Sequence, residues 1–357
     1  MRLGIAQSGA AWEERHRAGL VPDASPYGLD RLERWGIRPL FDETRRQRTT
    51  VERVLDRLTA WNWTGGRPDR ASPVDGFLAW DETHGLPLLL RVGGRLPVYT
   101  GVIWASDERM SAPMRQLTAK ALRRAAGVFV LSRLQVPHMI ERFNIPADRL
   151  HFVRFGIDAG FFRRERRDRE EAAETIFSAG SDRHRDFDLL IRAVGRLRSH
   201  RPRVKLRIAT RTVPKGPLPD GIGDCLGVID HSRVRSELSR ADVVVVPTKP
   251  NIHGSGMTTV LEAMSCERPV IAMAGTGLDD YICDGVTGTL VQAGEEEALA
   301  RAIEDVLCDP IQAQRQGKRG REAVTGDFTS ESLADRLGLM IAPSRFPQAP
   351  RGAKTNG

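Results

Sequence analysis

The sequence has few cysteines, few aromatic residues and no long apolar run. Its four cysteines, Cys225, Cys266, Cys283 and Cys308, lie far apart and form no Cys-x-x-Cys pair, which argues against a zinc site or a disulfide framework and favours a reducing compartment. Aromatic residues make up 6% of the chain, so single-stranded nucleic acid would find little surface on which to stack. The longest purely aliphatic run, Val243–Val246, is far shorter than the ~20 residues that cross a bilayer.

Lysine is scarce: only six of the 54 basic residues are lysines, and the others are arginines. With 46 acidic residues the formal net charge is +8, which is compatible with nucleic acid, an anionic membrane face or a phosphate-bearing small molecule as partner. Acidic residues are interspersed along the chain and no long basic tract stands out. Codon bias in a GC-rich genome is the simpler explanation of the arginine excess, and we expect no nucleic-acid partner.

No targeting segment is recognisable in the sequence. Residues 1–7 are too short and too interrupted for the apolar core of a signal peptide, and charged residues follow from Glu13. We therefore expect a cytoplasmic protein, working either in the cytoplasm or at the inner face of the membrane. A basic amphipathic helix predicted at 115–124 is compatible with peripheral membrane contact, although a solvated helix that covers a sheet fits it better.

Short apolar runs alternate with helical patterns along most of the chain. Strands are predicted at 98–103, 127–132, 175–179, 204–210, 242–248 and 269–272, and helices at 111–126, 136–143, 186–199, 256–266 and 295–307. This alternation is typical of parallel sheets that are covered on both faces. It predicts an α/β protein with two doubly wound Rossmann-like domains, residues 1–157 and 158–342, whose last helix is free to pack back on the first domain. The Pro- and Gly-rich tail 343–357 is predicted to be disordered.

The most informative motif is a glycine-bearing loop between the strand at 242–248 and the next helix. Loop and first helical turn comprise Gly254, Ser255, Gly256, Met257, Thr258 and Thr259. Free N–H groups at the positive end of a helix dipole suit a phosphate. Glu262 lies one and a half turns further on, within reach of a ribose beside that phosphate. A purely structural turn is the alternative interpretation of this motif.

A second loop of the same kind follows the strand predicted at 175–179. It begins at Gly180 and carries Arg183 and Arg185, whose guanidinium groups match a diphosphate in geometry. Taken alone, this segment is equally compatible with a solvated basic loop.

These segments, in this order, resemble the retaining glycosyltransferases of the GT4 group, which have the GT-B fold. The similar segments span about residues 148–340 and are Phe155–Asp158 with Phe162, Asp188–Ala193, Leu226–Ile229, Ser239–Pro247, Val260–Met264, Pro269–Ile271, Asp284–Val291 and Glu297–Ala300. The N-terminal half is similar only in outline. The resemblance implies an acceptor-binding first domain, a donor-binding second domain and a cleft between them. It also implies an enzyme of polysaccharide or glycoconjugate biosynthesis that moves a sugar from a UDP- or GDP-sugar to a hydroxyl acceptor, with retention at the anomeric carbon.

The resemblance also implies roles for individual residues. Glu262 matches the second member of the family's two-glutamate motif, which contacts the ribose. Arg185 matches the lysine of a basic pair that neutralises the diphosphate, and Arg183 stands in for the arginine of that pair, because Ser181 occupies the matching position. Backbone groups of Val228–Ile229 are expected to flank the base.

Two departures from the family pattern concern the sugar and the reacting carbon. Gly254 stands where the first glutamate is expected, so His253 becomes the candidate to occupy that space. The stretch 99–107 lacks the histidine that the family places near the reacting carbon. Asp107 is the nearest polar candidate there, and a helix cap is its other interpretation.

The first domain offers less specific signals. Tyr27–Gly28 and Ser8–Gly9 are candidate acceptor loops, and Trp80–Glu82 follows the apolar run Phe77–Ala79 where a strand would end. Open α/β sheets bind ligands at that edge, but surface turns fit these segments equally well.

We expect neither a cofactor nor a metal, because arginines and a helix N-terminus can stabilise the leaving diphosphate and no Asp-x-Asp motif is present. Three acceptors stay open: a lipid-linked glycan, a small metabolite and a natural-product scaffold. The alternatives to a transferase are a nucleotide-sugar epimerase or phosphorylase on the same fold, and a non-catalytic protein that binds a sugar nucleotide or a glycan. The sequence does not distinguish the base or the sugar of the donor.

Overall fold

The computed structural model describes residues 1–6, 12–41, 73–92, 94–106, 110–165 and 174–345. Two candidates from the sequence, Asp107 and Ser8–Gly9, lie outside these residues. Of the tail that was predicted to be disordered, Pro343–Arg345 forms a short 3-10 turn, and the remainder lies outside the described residues.

Six strands of the described chain form the sheet of the first domain. They are β1 (Arg2–Ile5), β2 (Arg38–Phe41), β3 (Gly76–Ala79), β4 (Val98–Gly101), β5 (Gly127–Val130) and β6 (Leu150–Phe152). All pairs are parallel, in the order β2-β1-β3-β4-β5-β6. The helices are α1 (Trp12–Arg17), a 3-10 helix (Pro26–Trp35), α2 (Glu82–Val92), α3 (Ala112–Leu122) and α4 (Gln135–Phe143). The winding direction changes between β1 and β3, so the loops that leave these strands diverge and open a crevice.

The second domain is built in the same way. Its strands are β7 (Glu174–Ala179), β8 (Val204–Ala209), β9 (Gly216–Pro217), β10 (Gly223–Cys225), β11 (Val243–Val246), β12 (Val270–Ala274) and β13 (Thr289–Gln292). Its helices are α5 (Phe187–Arg198), α6 (His231–Arg240), α7 (Met257–Ser265), α8 (Glu296–Cys308), α9 (Pro310–Asp327) and α10 (Ser330–Ile341). The strand order is β13-β12-β11-β7-β8-β10-β9, parallel except between β9 and β10. Here the winding direction changes between β7 and β11.

Burial on both faces explains why these strands are continuously apolar. All four valines of β11 have no exposed surface, and Val244 pairs in register with Phe177 of β7 and Val270 of β12. Helix α5 buries one apolar face, which includes Leu190 and Val194, and its N-cap Asp186 accepts a hydrogen bond from the Leu189 amide at 3.1 Å. The predicted α/β class with two doubly wound domains is confirmed. No helix among the described residues is both long enough and apolar enough to span a bilayer.

The last helix of the chain, α10, packs against the 3-10 helix of the first domain. The indole Nε1 of Trp35 donates to Asp335 at 2.9 Å, and the Arg34 guanidinium contacts the same carboxylate at 2.7 Å. Gly338 lies directly over the buried Trp35 ring, where a side chain would have no room. The C-terminal end of the chain therefore joins the second domain to the first.

The close approach at Gly338 leads to a stability prediction. A Cβ placed on Gly338 would lie 2.5 Å from Cε2 of Trp35, and this ring is buried and hydrogen-bonded, so Gly338→Ala should lower the free energy of unfolding by about 1–3 kcal/mol. The matched control is Gly195→Ala in α5, where nothing lies within 4 Å of the added Cβ. Because alanine is the better helix former, that variant should gain about 0.5–1 kcal/mol. Urea unfolding of both variants measures the difference, and equal effects would contradict the proposed packing.

Candidate functional site

A cavity of about 410 Å³ lies between the two domains, at the carboxyl ends of both sheets. The predicted catalytic and donor-site residues that line it are Gly180, Arg185, Val228, Ile229, His253, Gly254, Ser255, Gly256, Met257, Thr258, Thr259 and Glu262. The first domain contributes an opposite wall, which contains Tyr27, Trp80, Asp81, Ile103 and Trp104. The loops after β7 and β11 meet here because these strands flank the switch point of the second sheet.

Arg185 is the central cation of the cavity. Its side chain is buried and donates from Nη2 to Thr259 Oγ1 at 3.1 Å, whereas Nε and Nη1 have no hydrogen-bond partner among the described residues. Burial lowers the pKa of Arg185 to about 10, and the nearby Asp182 and Glu262 oppose that shift. The guanidinium therefore stays charged at neutral pH, with two donor nitrogens still to be satisfied.

The N-terminus of α7 lies beside this guanidinium. Gly256 caps the helix in a left-handed conformation with φ of +96° and provides no side-chain cap. The sequence predicted a free amide at Met257. In the structure this amide donates to the Gly254 carbonyl at 3.0 Å. The amides of Thr258 and Thr259 remain in the first turn, where backbone N–H groups and the helix dipole favour an anion.

Glu262 is a buried carboxyl on the same helix. Only 7% of its surface is exposed, and this burial raises its pKa to about 8, although the charge of Arg185 lowers it. The carboxyl is therefore protonated at neutral pH and presents an O–H donor as well as a carbonyl acceptor to the cavity.

Asp182, His184 and His253 form a cluster at the side of the cavity. His184 Nδ1 lies 3.2 Å from Asp182 Oδ1, and His253 Nε2 lies 3.4 Å from Asp182 Oδ2. Burial raises the pKa of Asp182, but hydrogen bonds from His253 and from the His184 amide outweigh this effect, so its pKa lies well below the usual range. Carboxylate and imidazole side chains of this kind can ligate a metal ion.

The sequence singled out His253 but missed Asp182. The one signal that could have found the cluster is the Asp182-x-His184 pair in the first loop, taken together with His253 in the second. Arg183 lies between that pair, and the structure places its side chain on the exposed side of the loop. Arg183 does not line the cavity, so the structure does not bring the two predicted arginines together.

Aromatic rings form the wall that the first domain contributes. Tyr27 stacks on Trp80 with ring centroids 4.0 Å apart, and Trp80 packs edge-on against Phe129 and Phe155. Tyr27 reaches this position because the turn at 27–28 takes positive φ at both residues. The sequence identified the turn and the position of Trp80 at a strand end, but it did not indicate that the two rings stack.

Glu82, at the start of α2, holds the loop that follows β4. Its buried carboxylate accepts hydrogen bonds from the amides of Ile103 at 2.9 Å, Trp104 at 2.8 Å and Ala105. Burial raises the pKa of Glu82 to about 7, although the Ile103 hydrogen bond lowers it. Held in this way, the Trp104 indole spans the cleft and donates from Nε1 to Asp182 at 3.2 Å.

A known protein family matches most of the second domain. Residues 173–309 match the family described as Glycosyl transferases group 1. The chain is 26% identical over 258 residues to the glycogen synthase of Mycobacterium tuberculosis, a match that covers 70% of this chain and 61% of that protein. The chain thus spans less than two thirds of the length of this relative.

Solved structures match almost the whole chain. The sucrose-phosphate synthase from Thermosynechococcus elongatus has a TM-score of 0.71 at 20% identity, with 96% of this chain and 99% of that chain covered. The Anabaena protein HepE, solved in complex with UDP-glucose, has a TM-score of 0.68 at 14% identity, with the same coverage. At these identities the likeness shows the fold, and it confirms the predicted GT-B arrangement of two Rossmann-like domains.

The raised pKa of Glu262 predicts how stability depends on pH. Glu262 has its ordinary pKa of 4.5 in the unfolded chain and a pKa of about 8 in the folded one. Between pH 4.5 and pH 8 the carboxyl is therefore protonated in the folded state and ionised in the unfolded state. The carboxyl therefore stabilises the fold fully below pH 4.5, and this stabilisation is lost as the pH rises through 8. Glu262→Gln removes the ionisation, so its free energy of unfolding relative to the wild type should rise by about 4 kcal/mol between pH 5 and pH 8.5.

Urea unfolding of the unliganded protein at several pH values measures this difference. Glu297→Gln, an exposed position on α8, is the matched control and should follow the wild type at every pH. Parallel curves for Glu262→Gln and the wild type would show that Glu262 is not titrated in this window.

Proposed function

Because residues 173–309 match the glycosyl transferases group 1 family and the chain has the GT-B fold, we propose that the protein is a retaining glycosyltransferase. It moves a sugar from a UDP- or GDP-sugar to a hydroxyl acceptor. The observation that carries the proposal is the buried guanidinium of Arg185, with two unsatisfied donor nitrogens, beside the N-terminus of α7. A diphosphate supplies the oxygens that both groups lack.

The transfer step places its largest charge change on that diphosphate. The bond between the anomeric carbon and the phosphate oxygen breaks, and the electron pair stays on the diphosphate. Arg185 and the first-turn amides of Thr258 and Thr259 stabilise this negative charge. The acceptor hydroxyl attacks from the face that the diphosphate leaves, and its proton passes to a phosphate oxygen. In this mechanism the arginine and the helix supply the positive charge, so transfer requires neither a metal nor a cofactor.

The other cavity residues suit the remaining parts of the donor. Val228, which is exposed, and Ile229 offer an apolar edge to the base. Glu262 offers a donor and an acceptor to the ribose. Support for a uridine donor comes from the similarity to HepE, whose structure contains UDP-glucose. The Tyr27–Trp80 stack provides a rigid apolar surface for the acceptor.

The acceptor remains open among a lipid-linked glycan, a small metabolite and a natural-product scaffold. Exposed cations on or beside α3, namely Arg115, Lys120 and Arg123, would suit the anionic inner face of a membrane if the acceptor is lipid-linked.

One observation favours a second candidate function, a non-catalytic binder of sugar nucleotides. Gly254 brings no side chain to the cavity at the position where the resemblance implies a carboxylate.

Substitution of the central arginine tests the proposed function. Arg185→Ala removes the charge nearest the leaving diphosphate, so we expect the rate of transfer to fall by about 10²-fold or more. Arg192→Ala, an exposed arginine on α5 that pairs with Glu296, is the matched control and should keep wild-type activity. Hydrolysis-corrected turnover of a radiolabelled nucleotide sugar measures both variants. Near wild-type turnover in Arg185→Ala would overturn the assignment, provided that circular dichroism shows an intact fold.

Donor binding is tested separately from turnover by a thermal-shift panel of UDP, GDP, ADP and dTDP at millimolar concentration. A ligand present at a hundred times its Kd adds about 2.7 kcal/mol to the free energy of unfolding. We expect stabilisation by UDP or GDP, unchanged when magnesium is omitted and lost in Arg185→Ala. Stabilisation without any turnover would favour the non-catalytic binder, and no stabilisation by any nucleotide would contradict both functions.

A further inference from the structure

The cluster of Asp182, His184 and His253 has a property that glycosyl transfer does not use. Its ligand atoms, one carboxylate oxygen and two imidazole nitrogens, all lie within 4.8 Å of one another. Within the described parts of the chain, it is the one group of three or more His, Cys, Asp or Glu side chains that approach so closely. The residues come from two loops, after β7 and after β11, that meet at the switch point of the second sheet.

The distances within the cluster are compatible with a coordination shell. In a tetrahedral zinc site with metal–ligand bonds of about 2.0–2.1 Å, neighbouring ligand atoms are roughly 3.3 Å apart. The two contacts of the Asp182 carboxylate are close to this spacing, although they involve different oxygens: His184 Nδ1 lies 3.2 Å from Oδ1, and His253 Nε2 lies 3.4 Å from Oδ2. The imidazole rings of His184 and His253 lie edge to face with centroids 4.9 Å apart, and one nitrogen of each lies within 4.8 Å of the other and of a carboxylate oxygen of Asp182.

A second layer of hydrogen bonds orients the carboxylate. Asp182 Oδ1 accepts from the His184 amide at 2.7 Å, and Oδ2 accepts from the Trp104 indole at 3.2 Å. In metal sites such outer contacts fix the ligand and tune its affinity. The side chains of Asp182 and His184 keep about a fifth of their surface exposed, whereas His253 is buried, so the cluster is open on its cleft side.

We propose that Asp182, His184 and His253 bind one divalent transition-metal ion of the zinc class, with water in the position that faces the cleft. Two imidazoles and one carboxylate are ligands that zinc and cobalt prefer over magnesium and calcium. The ion takes the place of the protons that now join the two histidines to Asp182. It links the loop at 181–185 to the loop at 249–256 and so stabilises the folded state.

The charges around the cluster are compatible with such an ion. Asp182 is ionised and supplies one negative charge, and the histidines ligate in their neutral form. Arg185 lies close enough to Asp182 for the two charges to interact, and its positive charge opposes the ion, so we expect moderate rather than extreme affinity. The inference does not depend on glycosyl transfer, because the ion binds the chain itself.

Metal titration of the full chain without an affinity tag tests the proposal. We expect one equivalent of Zn²⁺ to bind in calorimetry, and one equivalent of Co²⁺ to give visible absorption bands typical of four or five nitrogen and oxygen ligands. His184→Gln and His253→Gln keep side-chain volume, and each should weaken binding by about tenfold or more. Zn²⁺ should also raise the midpoint of thermal unfolding of the wild type but not of these variants.

His200→Gln is the matched control. His200 Nε2 also faces a carboxylate, Glu304, at 2.9 Å, but among the residues that the structure describes no third His, Cys, Asp or Glu side chain completes a cluster with this pair. This variant should bind Zn²⁺ as the wild type does. Absence of saturable binding in the wild type, or binding that survives both His184→Gln and His253→Gln, would overturn the proposal. Circular dichroism of each variant shows whether a loss of binding reflects the site or an unfolded chain, and cobalt spectra of the wild type decide the case if a variant does not fold.

Discussion

The guanidinium of Arg185 lies between the ends of β7 and β11. The backbone there has to leave room for it, which determines where glycine is needed around the cavity. Gly180 and Gly256 have φ of +130° and +96°. A Cβ on Gly180 would lie 2.5 Å from Nε of Arg185, and a Cβ on Gly256 would lie 2.6 Å from Nη1. Thr259 holds the third nitrogen. Since these two strands flank the switch point, the space that accommodates the cation is continuous with the cleft. Burial of an unpaired guanidinium costs free energy, and a bound anion would offset this cost. The cavity is therefore suited to bind an anion.

The cleft keeps its shape because the two domains are joined at several buried polar contacts. The Tyr281 hydroxyl donates to the Leu131 carbonyl at 2.7 Å and accepts from the Phe155 amide at 3.1 Å. On the side of α10, Ser330 donates to Asp23 at 2.8 Å. These contacts fix the aromatic wall of the first domain opposite the phosphate end of the second. The cavity is therefore a property of the domain junction as much as of either domain.

Much of the second domain could be predicted from the sequence, because buried parallel strands such as Val243–Val246 are continuously apolar and the helix after Gly256 begins at a glycine-bearing loop. The orientation of Arg183 and Arg185 could not be predicted. A loop has no periodicity, so the sequence does not show which of two neighbouring cations points inward. The partnership of Asp182 with His253 was also hidden, since these residues lie far apart in sequence and meet only where two loops converge. The role of Glu82 depends likewise on a loop that approaches it from β4.

The protonation of Glu262 determines how much of the Arg185 charge is available to a ligand. With a pKa of about 8 the carboxyl is neutral at pH 7, so it does not cancel the guanidinium that lies near it. Asp182 remains ionised and is the main negative charge that acts on Arg185 in the unliganded cavity. A metal ion in the proposed cluster would neutralise Asp182 and leave Arg185 to pair with an incoming diphosphate. Binding of the ion and of the diphosphate should then strengthen each other to the same extent, because a coupling free energy between two sites is reciprocal.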